Sequence, residues 1–247
     1  MAVKIGSARI DENGHARGGK IGDQTGKEVS TQNWYKHSKG WVVIRAKGAF
    51  EAERIAQAME AACKNNNIGY DQGNRLSLWN KAKPKGFFPG LVDEKCETDC
   101  SALVRVCCAY AGIMTPNFTT ANEKSVLKAT GDFYIITDSK VTDSSVYLLR
   151  GDILVTKTQG HTVVVLNNGS KAEPRVPKPK VREVRVTGDS VYVRSGPGIE
   201  FSPPLGVVHK GDVLTLRGEQ ENGWYPVVYI NQDGWISGKY SEVVSNE

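Results

Sequence analysis

The chain has 247 residues, which is long for one domain and sufficient for two. With 39% hydrophobic and 24% charged residues it has the composition of a soluble globular protein, and no stretch approaches the roughly 20 apolar residues of a membrane-spanning helix. The net charge of +5 fits a polyanionic partner, which is nucleic acid, an anionic membrane or an anionic cell wall, and equally fits a solvated basic surface. The chain contains no nucleic-acid motif.

The cysteines and the N-terminus indicate a reducing compartment. The first twenty residues lack the apolar segment of a secretory signal, and five cysteines, an odd number, do not suggest a disulfide framework. Cys96 and Cys100 are four apart and Cys107 and Cys108 are adjacent, so the chain offers no paired metal-ligand spacing. We therefore expect free thiols, no metal and no cofactor, with Cys63, Cys107 and Cys108 as small core residues.

The first part of the chain mixes helical and strand patterns. Residues Trp41–Ile44 form a short strand or lead into a helix, and the pattern leaves both open. Residues Phe50–Asn66 have the apolar spacing of an amphipathic helix, and a second helix begins at Cys100 and ends at Gly112. Three strands are predicted to follow, at Val146–Leu149, Ile153–Val155 and His161–Leu166. Helices followed by antiparallel strands indicate an α+β domain over residues 1–173.

A proline-rich connector separates the two parts. Residues Gly169–Arg182 contain three prolines and five basic residues, which is typical of a stiff, extended linker, and we place the linker at 174–182. Residues 183–247 alternate short β runs with turns and predict a small all-β barrel. Its predicted strands are Val191–Arg194, Gly206–Val208, Val213–Arg217, Trp224–Tyr229 and Gly234–Ile236, and its predicted turns include Lys210–Asp212, Asn222–Gly223 and Asp233–Gly234.

Cys100 stands at the first position of its helix. Asp99 or Thr98 can cap that helix by accepting a backbone N–H bond. The positive end of the helix dipole favours a thiolate over a thiol, so the position predicts a reactive cysteine.

A cysteine nucleophile needs a base, and His161 is the best candidate among four histidines. It opens a buried β run, where its ring can face a cleft at the end of a sheet. His209 is expected on the surface, His37 in solvent, and His15 in a segment that nothing fixes. The alternative for Cys100 and His161 is a capped core cysteine and a structural histidine.

Glu173 is the predicted group that orients the base. A three-residue loop at 167–169, with Gly169 in the left-handed conformation, would pair Val163 with Glu173 and make Glu173 a diagonal neighbour of His161. The alternative is a solvated glutamate at a domain edge.

Three stretches resemble one enzyme family. Asp99–Val104 resembles the nucleophile motif of NlpC-type, papain-like peptidoglycan hydrolases, Gly151–Leu154 resembles their Gly-Asp-Leu strand, and Gly160–Val164 resembles their histidine strand. The resemblance implies a papain-like cysteine hydrolase fold with Cys100 as nucleophile and His161 as base. The family's third polar residue falls about a dozen positions after its histidine, which is Glu173 here, although the family more often has His, Asn or Gln.

The same resemblance implies substrate contacts. In the family, the Asp before the Cys and the Ser after it often bind the free amino end of the stem peptide, which corresponds to Asp99 and Ser101. Tyr70 is the candidate for a family tyrosine that stabilises the oxyanion. The segment Gly14–Lys27 is similar to the N-terminal stretch of some phage-encoded lysins, and its Gln24 would line the cleft.

The second domain resembles bacterial SH3 domains over about Val184–Val244. The resemblance implies a module that targets the cell wall, with exposed rings that meet glycan or peptide. The two tryptophans can equally form the core of the barrel. The matching signatures are Val191–Gly198, Lys210–Val213, Asn222–Tyr225 and Gly234–Ser237, and the candidate wall-binding rings are Tyr192, Trp224, Trp235 and Tyr240.

Together these features predict a papain-like α+β cysteine hydrolase domain followed by a small SH3-type barrel. The resemblance implies endolysin-like or autolysin-like hydrolysis of a stem-peptide amide beside D-isoglutamate, through an acyl-enzyme on Cys100. Muramoyl–L-alanine amidase activity, an inactive wall-binding protein and an acyltransferase are the alternatives. The expected partner is bacterial peptidoglycan, without nucleic acid or stable membrane insertion, and the protein is expected to be a monomer. We expect synthesis in the cytoplasm and action at the wall after release through a phage holin-type membrane hole.

Overall fold

The computed structural model describes residues 2–158, 160–173 and 182–245. The chain divides into two units, Met1–Pro174 and Arg175–Glu247. The first unit combines helices with a six-stranded sheet, and the second is built from β-strands. Nearly all of the predicted linker, residues 174–181, and Gln159 in the predicted turn at 159–160 lie outside the described residues.

The α-helices of the described residues lie in the first unit. The helices are α1 (Ala49–Ala62), α2 (Ser77–Ala82), α3 (Cys100–Tyr110), α4 (Glu123–Ala129) and α5 (Ser139–Thr142). The strands are β1 (Lys4–Ala8), β2 (Val29–Asn33), β3 (Trp41–Ala46), β4 (Ile68–Tyr70), β5 (Cys96–Thr98), β6 (Phe133–Ile136), β7 (Ile153–Thr156) and β8 (Thr162–Val165). Short 3-10 turns occur at Lys83–Lys85, Pro89–Leu91 and Ser145–Tyr147.

The large sheet is antiparallel throughout, in the order β2-β1-β8-β7-β3-β6. Strand β8 is central, with Val164 opposite Ile153 of β7 and Val165 opposite Ile5 of β1. Both faces of the sheet are covered: one packs on α1 and α3, and the other encloses a smaller cluster around Trp41. Burial on both faces explains why β7 and β8 are runs of aliphatic residues rather than alternating ones.

The helix at 50–66 and the strands at 153–155 and 161–166 are confirmed with shifted ends. Helix α1 is rich in alanine, a strong helix former, and it buries Ile55 and Met59 completely. It ends at Ala62, where the N–H groups of Lys64 and Asn65 donate to the carbonyls of Ala61 and Ala62 in tighter, three-residue turns. The segment that the pattern left open, Trp41–Ile44, is a strand.

The predicted strand Val146–Leu149 is wrong. The chain forms a 3-10 turn at Ser145–Tyr147, followed by a tight turn that leads into β7. The predicted hairpin after β8 is also wrong, because β1 and β7 occupy both edges of that strand. The N–H of Gly169 donates instead to the carbonyl of Leu148. Glu173 is therefore not paired with Val163, and the geometric reason for placing it beside His161 is lost.

The second unit forms two sheets around a valine-rich core. Its strands are β9 (Arg182–Val186), β10 (Ser190–Arg194), β11 (Gly206–His209), β12 (Val213–Thr215), β13 (Trp224–Tyr229), β14 (Gln232–Ser237) and β15 (Ser241–Ser245). The sheets have the orders β11-β10-β14-β13 and β12-β9-β15. The sequence analysis did not predict β9 and β15, which pair with each other and build the second sheet with β12.

The turns of this unit follow backbone conformation. Asn222 and Gly223 have φ of 49° and 82°, as a two-residue hairpin loop of type I′ requires, and the predicted turn is confirmed. The turn predicted at Asp233–Gly234 is wrong, because the β13–β14 loop is Ile230–Asn231. Gly234 lies inside β14, where a Cβ would come within 2.6 Å of Val193, so close packing rather than a turn explains this glycine.

Candidate active site

Cys100 begins α3, directly after the short strand β5. Asp99 caps the helix: its backbone is extended and its carboxylate accepts a hydrogen bond from the N–H of Ala102 at 2.7 Å. Of the two predicted caps, Asp99 is therefore the one that acts. The side chain of Cys100 is buried, with 7% of the residue exposed.

The surroundings of Cys100 favour a neutral thiol. Burial first, and then the charges of Asp99 and Glu123, raise the pKa of Cys100 to about 12. Backbone N–H groups of Thr162 and Ser101 oppose this by favouring the thiolate, but they do not outweigh burial. The prediction of a lowered thiol pKa at the helix terminus is wrong for this resting structure, because desolvation exceeds the effect of the helix end.

His161 lies at the entrance of β8. Its backbone is fixed by Thr156, whose N–H donates to the carbonyl of His161 at 3.0 Å and whose Oγ1 accepts from its N–H at 3.1 Å. The imidazole ring lies 6.5 Å, centroid to centroid, from Trp41. Burial, followed by the positive charges of His37 and Arg9, lowers the pKa of His161 to about 4. The ring is therefore a neutral base at neutral pH.

Strand β8 connects the thiol and the imidazole. The N–H of Thr162 faces the Sγ of Cys100, and Thr162 follows His161 directly in the chain. Segments that are far apart in sequence, β8 and α3, therefore pack against each other. The hydrogen bonds of the described residues include none between the Sγ of Cys100 and the ring of His161. The structure thus places the residue next to His161 near the start of α3, and in the described residues it shows no hydrogen bond between the side chains of Cys100 and His161.

A cleft of about 480 Å³ opens beside the imidazole. Among the described residues, its lining contains one cation and no carboxylate; these residues are Arg9, Ile10, Gln32, Tyr35, His37 and His161. Burial raises the pKa of the Tyr35 phenol; the nearby Arg9 opposes this increase, and Cys100 adds a smaller increase. The cleft therefore suits a polar or anionic group next to the candidate base.

His37 belongs to this cleft, and the prediction that it is solvated is wrong. Its ring is half-buried and meets Trp41 edge-on, with centroids 5.2 Å apart. Its Nδ1 accepts a hydrogen bond from the N–H of Lys39 at 3.0 Å, which leaves Nε2 as the ring's other nitrogen for donation. Sequence reasoning missed His37 and Tyr35 because their stretch is lysine-rich. The close spacing of three ring side chains in the sequence, Tyr35, His37 and Trp41, could have indicated this cluster.

Tyr70 lies close to the nucleophile. Strand β4 pairs in parallel with β5, and this places Tyr70 opposite Thr98, two residues before Cys100. Burial and the charge of Cys100 raise the pKa of Tyr70 to about 12, so the phenol keeps its proton. Its oxygen accepts a hydrogen bond from the amide of Gln72 at 3.1 Å. A role for Tyr70 at the oxyanion stays a prediction; its phenolic O–H is a possible donor near the thiol.

Gln24 is not placed in the cleft. The residue is exposed, and its side-chain amide donates to the carbonyls of Ile21 at 3.1 Å and Gly22 at 2.6 Å. Both amide hydrogens thus stabilise the surrounding loop, which is also held by the Asp23 carboxylate. The expected cleft position of Gln24 is therefore not found.

The expected ammonium site is filled by Arg75. The guanidinium donates from Nε to Asp99 Oδ2 at 2.5 Å and from Nη2 to the Ser101 hydroxyl at 2.9 Å. The same group reaches the carbonyl of Phe118 at 2.6 Å and the Asn117 side chain at 2.8 Å. Asp99 and Ser101 do lie together, since the Ser101 hydroxyl donates to Asp99 at 2.9 Å, but an internal cation already binds them.

Glu123, at the start of α4, is a buried acid that sequence reasoning missed. It is fully buried, and its Oε1 accepts a hydrogen bond from the Thr162 hydroxyl at 2.8 Å while Oε2 has no partner. Burial raises the pKa of Glu123 to about 8, so the carboxyl is largely protonated at pH 7. Through Thr162 it supports the segment that faces the thiol. No local pattern distinguishes it from a solvated helix glutamate.

Asp152, from the motif at 151–154, has a structural role. It is fully buried and forms a two-bond ion pair with Arg45, at 2.9 and 2.6 Å. It also accepts the N–H of Leu149 at 2.8 Å and so closes the turn before β7. Gly151 is required there, because its φ is 82° and a Cβ would meet the Ala52 carbonyl at 2.1 Å.

Glu173 is exposed, and the pairing that was to carry it to His161 does not form. Among the described residues, no carboxylate or amide hydrogen-bonds the ring of His161. The structure thus leaves the third, orienting position without an assigned residue.

The candidate wall-binding rings differ in exposure. Tyr192 and Tyr240 are 53% and 45% exposed, whereas Trp224 and Trp235 are half-buried. The apolar core beneath them consists of valines and Ile236. The two tyrosines are therefore the rings most available to a ligand.

Comparison with known families assigns both parts of the chain. Residues 5–172 match the endolysin-like domain, and residues 189–242 match the bacterial SH3 domain. The chain matches no curated protein. None of the helices in the described parts of the chain has both the length and the apolar composition of a membrane span. The two matches together indicate a peptidoglycan hydrolase with a cell-wall-binding module, and the chain belongs to the endolysin-like domain family.

Proposed function

We propose that the endolysin-like domain hydrolyses an amide bond of the peptidoglycan stem peptide, with Cys100 as nucleophile and His161 as general base. The observation that carries this proposal is the packing of β8, which begins at Thr162, against α3, which begins at Cys100; the backbone N–H of Thr162 also favours the Cys100 thiolate. The residue before Thr162 is the imidazole that a thiol nucleophile requires.

The neutral resting states of the two groups favour proton transfer during attack rather than a preformed ion pair. The pKa of Cys100 is raised to about 12 and that of His161 is lowered to about 4. In the proposed step, His161 turns toward Sγ and accepts the thiol proton as sulfur bonds to the carbonyl carbon. Catalytic hydrogen bonds are often absent before substrate binds, and they tighten in the bound complex.

The remaining steps complete the hydrolysis. The tetrahedral oxyanion collapses, the C–N bond breaks, and His161 returns its proton to the leaving amine. Water, activated by the same imidazole, then hydrolyses the thioester and releases the carboxylic acid and the free thiol. Tyr70 keeps its phenolic proton and is our candidate donor to the oxyanion.

The cleft supports an acidic stem peptide as substrate. Arg9 supplies a positive charge, and the lining of the cleft carries no carboxylate. A D-isoglutamyl residue carries a carboxyl group close to the bonds on either side of it, so we propose cleavage beside that residue. Amidase cleavage at the muramoyl–L-alanine bond uses the same nucleophile and base. Mass spectrometry of products from purified walls separates the two by the new terminus each creates.

The second domain is proposed to hold the enzyme on its insoluble substrate. Binding of the bacterial SH3 domain to the wall would raise the effective concentration of the catalytic domain without adding chemistry. We further propose that the protein acts at the wall of a bacterium after release from the cytoplasm.

The deciding experiment compares matched cysteine variants of the full chain. Cys100→Ala should abolish loss of turbidity in Gram-positive walls while leaving wall binding intact. Cys107→Ala, which changes a buried cysteine of the same helix, should retain lysis if the variant folds. Full lysis by Cys100→Ala would refute the assignment of the nucleophile.

A wall-binding protein without activity is the second candidate. It is favoured by the burial of Cys100 and by the missing hydrogen bond between Sγ and the imidazole. The same experiment distinguishes this candidate from the hydrolase. If the protein is inactive, the unmodified chain will also bind walls and leave their turbidity unchanged.

A further inference from the structure

We propose that Glu123 is a positioning residue for the nucleophile: it accepts the hydroxyl of Thr162 and so holds the Thr162 backbone N–H toward the sulfur of Cys100. The inference rests on the proposed function, in which Cys100 attacks the substrate. In this role Glu123 acts through Thr162 and takes no part in making or breaking bonds.

The ladder between β7 and β8 does not use the N–H of Thr162. Antiparallel strands alternate between residue pairs that exchange hydrogen bonds and residue pairs that do not. The N–H of Thr156 in β7 donates to the carbonyl of His161, so this pair is of the first kind. The next pair, Val155 with Thr162, is therefore of the second kind, and the N–H of Thr162 points away from β7.

On its other side, β8 is paired with β1 over a short length. The ladder joins Ile5 to Val165 and Gly6 to Val164, and it stops two residues short of Thr162. The packing of α3 against β8 brings Cys100 to the place that β1 leaves, and the Thr162 N–H there favours the Cys100 thiolate. The position of this one backbone group therefore bears on the reactivity of the sulfur.

Glu123 holds the side chain of Thr162 from α4. Both residues are fully buried, and the Thr162 hydroxyl donates to Oε1 of Glu123 at 2.8 Å. Within the described part of the chain Oε2 has no partner, so this one hydrogen bond fixes the carboxyl. Threonine is branched at Cβ and stiff at χ1, so a bond that fixes its hydroxyl also restricts its backbone. The contact thus orients the N–H at the start of β8.

The neutral form of the carboxyl suits this role. Burial, with a smaller effect of the Asp99 charge, raises the pKa of Glu123 to about 8. An ionised Glu123 would raise the thiol pKa values of Cys100 and Cys108, which face it from α3. At pH 7 the carboxyl is largely protonated, so it anchors Thr162 without adding a negative charge beside the thiolate.

The test measures the reactivity of Cys100 directly. Full-length variants are alkylated with iodoacetamide at pH 7, and peptide mass spectrometry quantifies the label on each cysteine. Cys107 is fully buried in the same helix, so its labelling reports unfolding. Thr162→Val removes the hydroxyl at nearly constant volume and Glu123→Met removes the acceptor. Each should slow alkylation of Cys100 by about tenfold, the effect expected for one hydrogen bond to a charged group.

Conservative variants separate this role from simple packing. Glu123→Gln keeps an acceptor and Thr162→Ser keeps the hydroxyl, so alkylation of Cys100 should stay within about twofold of the unmodified rate. Thr142→Val is the matched control, because Thr142 is a buried threonine whose hydroxyl has no partner among the described residues, and it should leave the rate unchanged.

Cleavage of wall material by the same variants gives a second readout. Thr162→Val and Glu123→Met should lower kcat with little change in KM, because the Thr162 N–H acts on the sulfur during attack rather than on substrate binding.

Alkylation of Cys100 within about twofold of the unmodified rate in Thr162→Val or Glu123→Met, with Cys107 still protected, would overturn the inference. Rapid labelling of Cys107 identifies a variant that has unfolded, and the other variant then decides. Failure of the unmodified chain to lyse walls, with the alkylation differences intact, would remove the proposed function and leave the positioning of the sulfur by Glu123 in place.

Discussion

Glu123→Gln should stabilise the first domain, and the gain should depend on pH. Glu123 is fully buried, and its pKa is raised from 4.5 to about 8. Because the carboxyl pKa is raised on folding, the contribution of Glu123 to the free energy of unfolding is most favourable below pH 4.5 and is lost as the pH rises toward 8. At about 1.4 kcal/mol per pH unit, keeping this carboxyl protonated reduces the free energy of unfolding by about 3 kcal/mol at pH 7.

Glutamine removes this cost and keeps the acceptor for the Thr162 hydroxyl, which now lies 2.8 Å from Oε1. The free energy of unfolding of the variant should therefore exceed that of the unmodified protein by about 3 kcal/mol at pH 7 and by less than about 1 kcal/mol at pH 5. Urea-induced unfolding at the two pH values measures the difference, in the transition that accompanies loss of lytic activity. Glu94→Gln, at an exposed glutamate, is the control. A variant that is less stable at pH 7, or an equal difference at both pH values, would refute the reasoning.

Three further changes test other parts of the account. Asp152→Asn leaves Arg45 beside a neutral group in a buried site, so it should lower the free energy of unfolding by about 3–5 kcal/mol in urea titrations; a change below about 1 kcal/mol would contradict the structural role of this motif. Because the pKa of His161 is lowered to about 4, kcat/KM should fall only as the pH approaches that value, and an acidic midpoint near 6.5 would show that this imidazole is not the base or is not buried in the working enzyme. Tyr192→Ala should weaken sedimentation of the protein with walls without changing its unfolding midpoint, because the ring is exposed, and unchanged sedimentation would exclude this ring from wall binding.

Local patterns were sufficient to predict the elements that carry the site. The apolar spacing of α1, the cap at Asp99 and the aliphatic runs of β7 and β8 are set by near neighbours, and all of them occur in the structure. The matching families also follow from contiguous motifs. Cys100 and His161 were predicted from such motifs, and α3, which begins at Cys100, packs against β8, which His161 precedes.

The errors concern partners that lie far apart in the chain. The hairpin that was to carry Glu173 fails because β1, from the N-terminus, occupies the edge of β8 through pairs such as Ile5 with Val165. Arg75 donates to Asp99 although the two residues are 24 positions apart in the chain. No sequence pattern predicts a guanidinium at the place where a substrate ammonium was expected. The predicted lowering of the Cys100 thiol pKa was wrong for the same reason, because the burial that raises this pKa depends on the whole fold rather than on the helix terminus.

The most direct test of the account is to trap the acyl-enzyme. The full chain is mixed with solubilised peptidoglycan, quenched in acid during turnover, digested and analysed by mass spectrometry. The account predicts a stem-peptide acyl group on the Cys100 sulfur, and its absence in Cys100→Ala. An acyl group on a different residue, or product release at the full rate by Cys100→Ala, would contradict the central role of this cysteine.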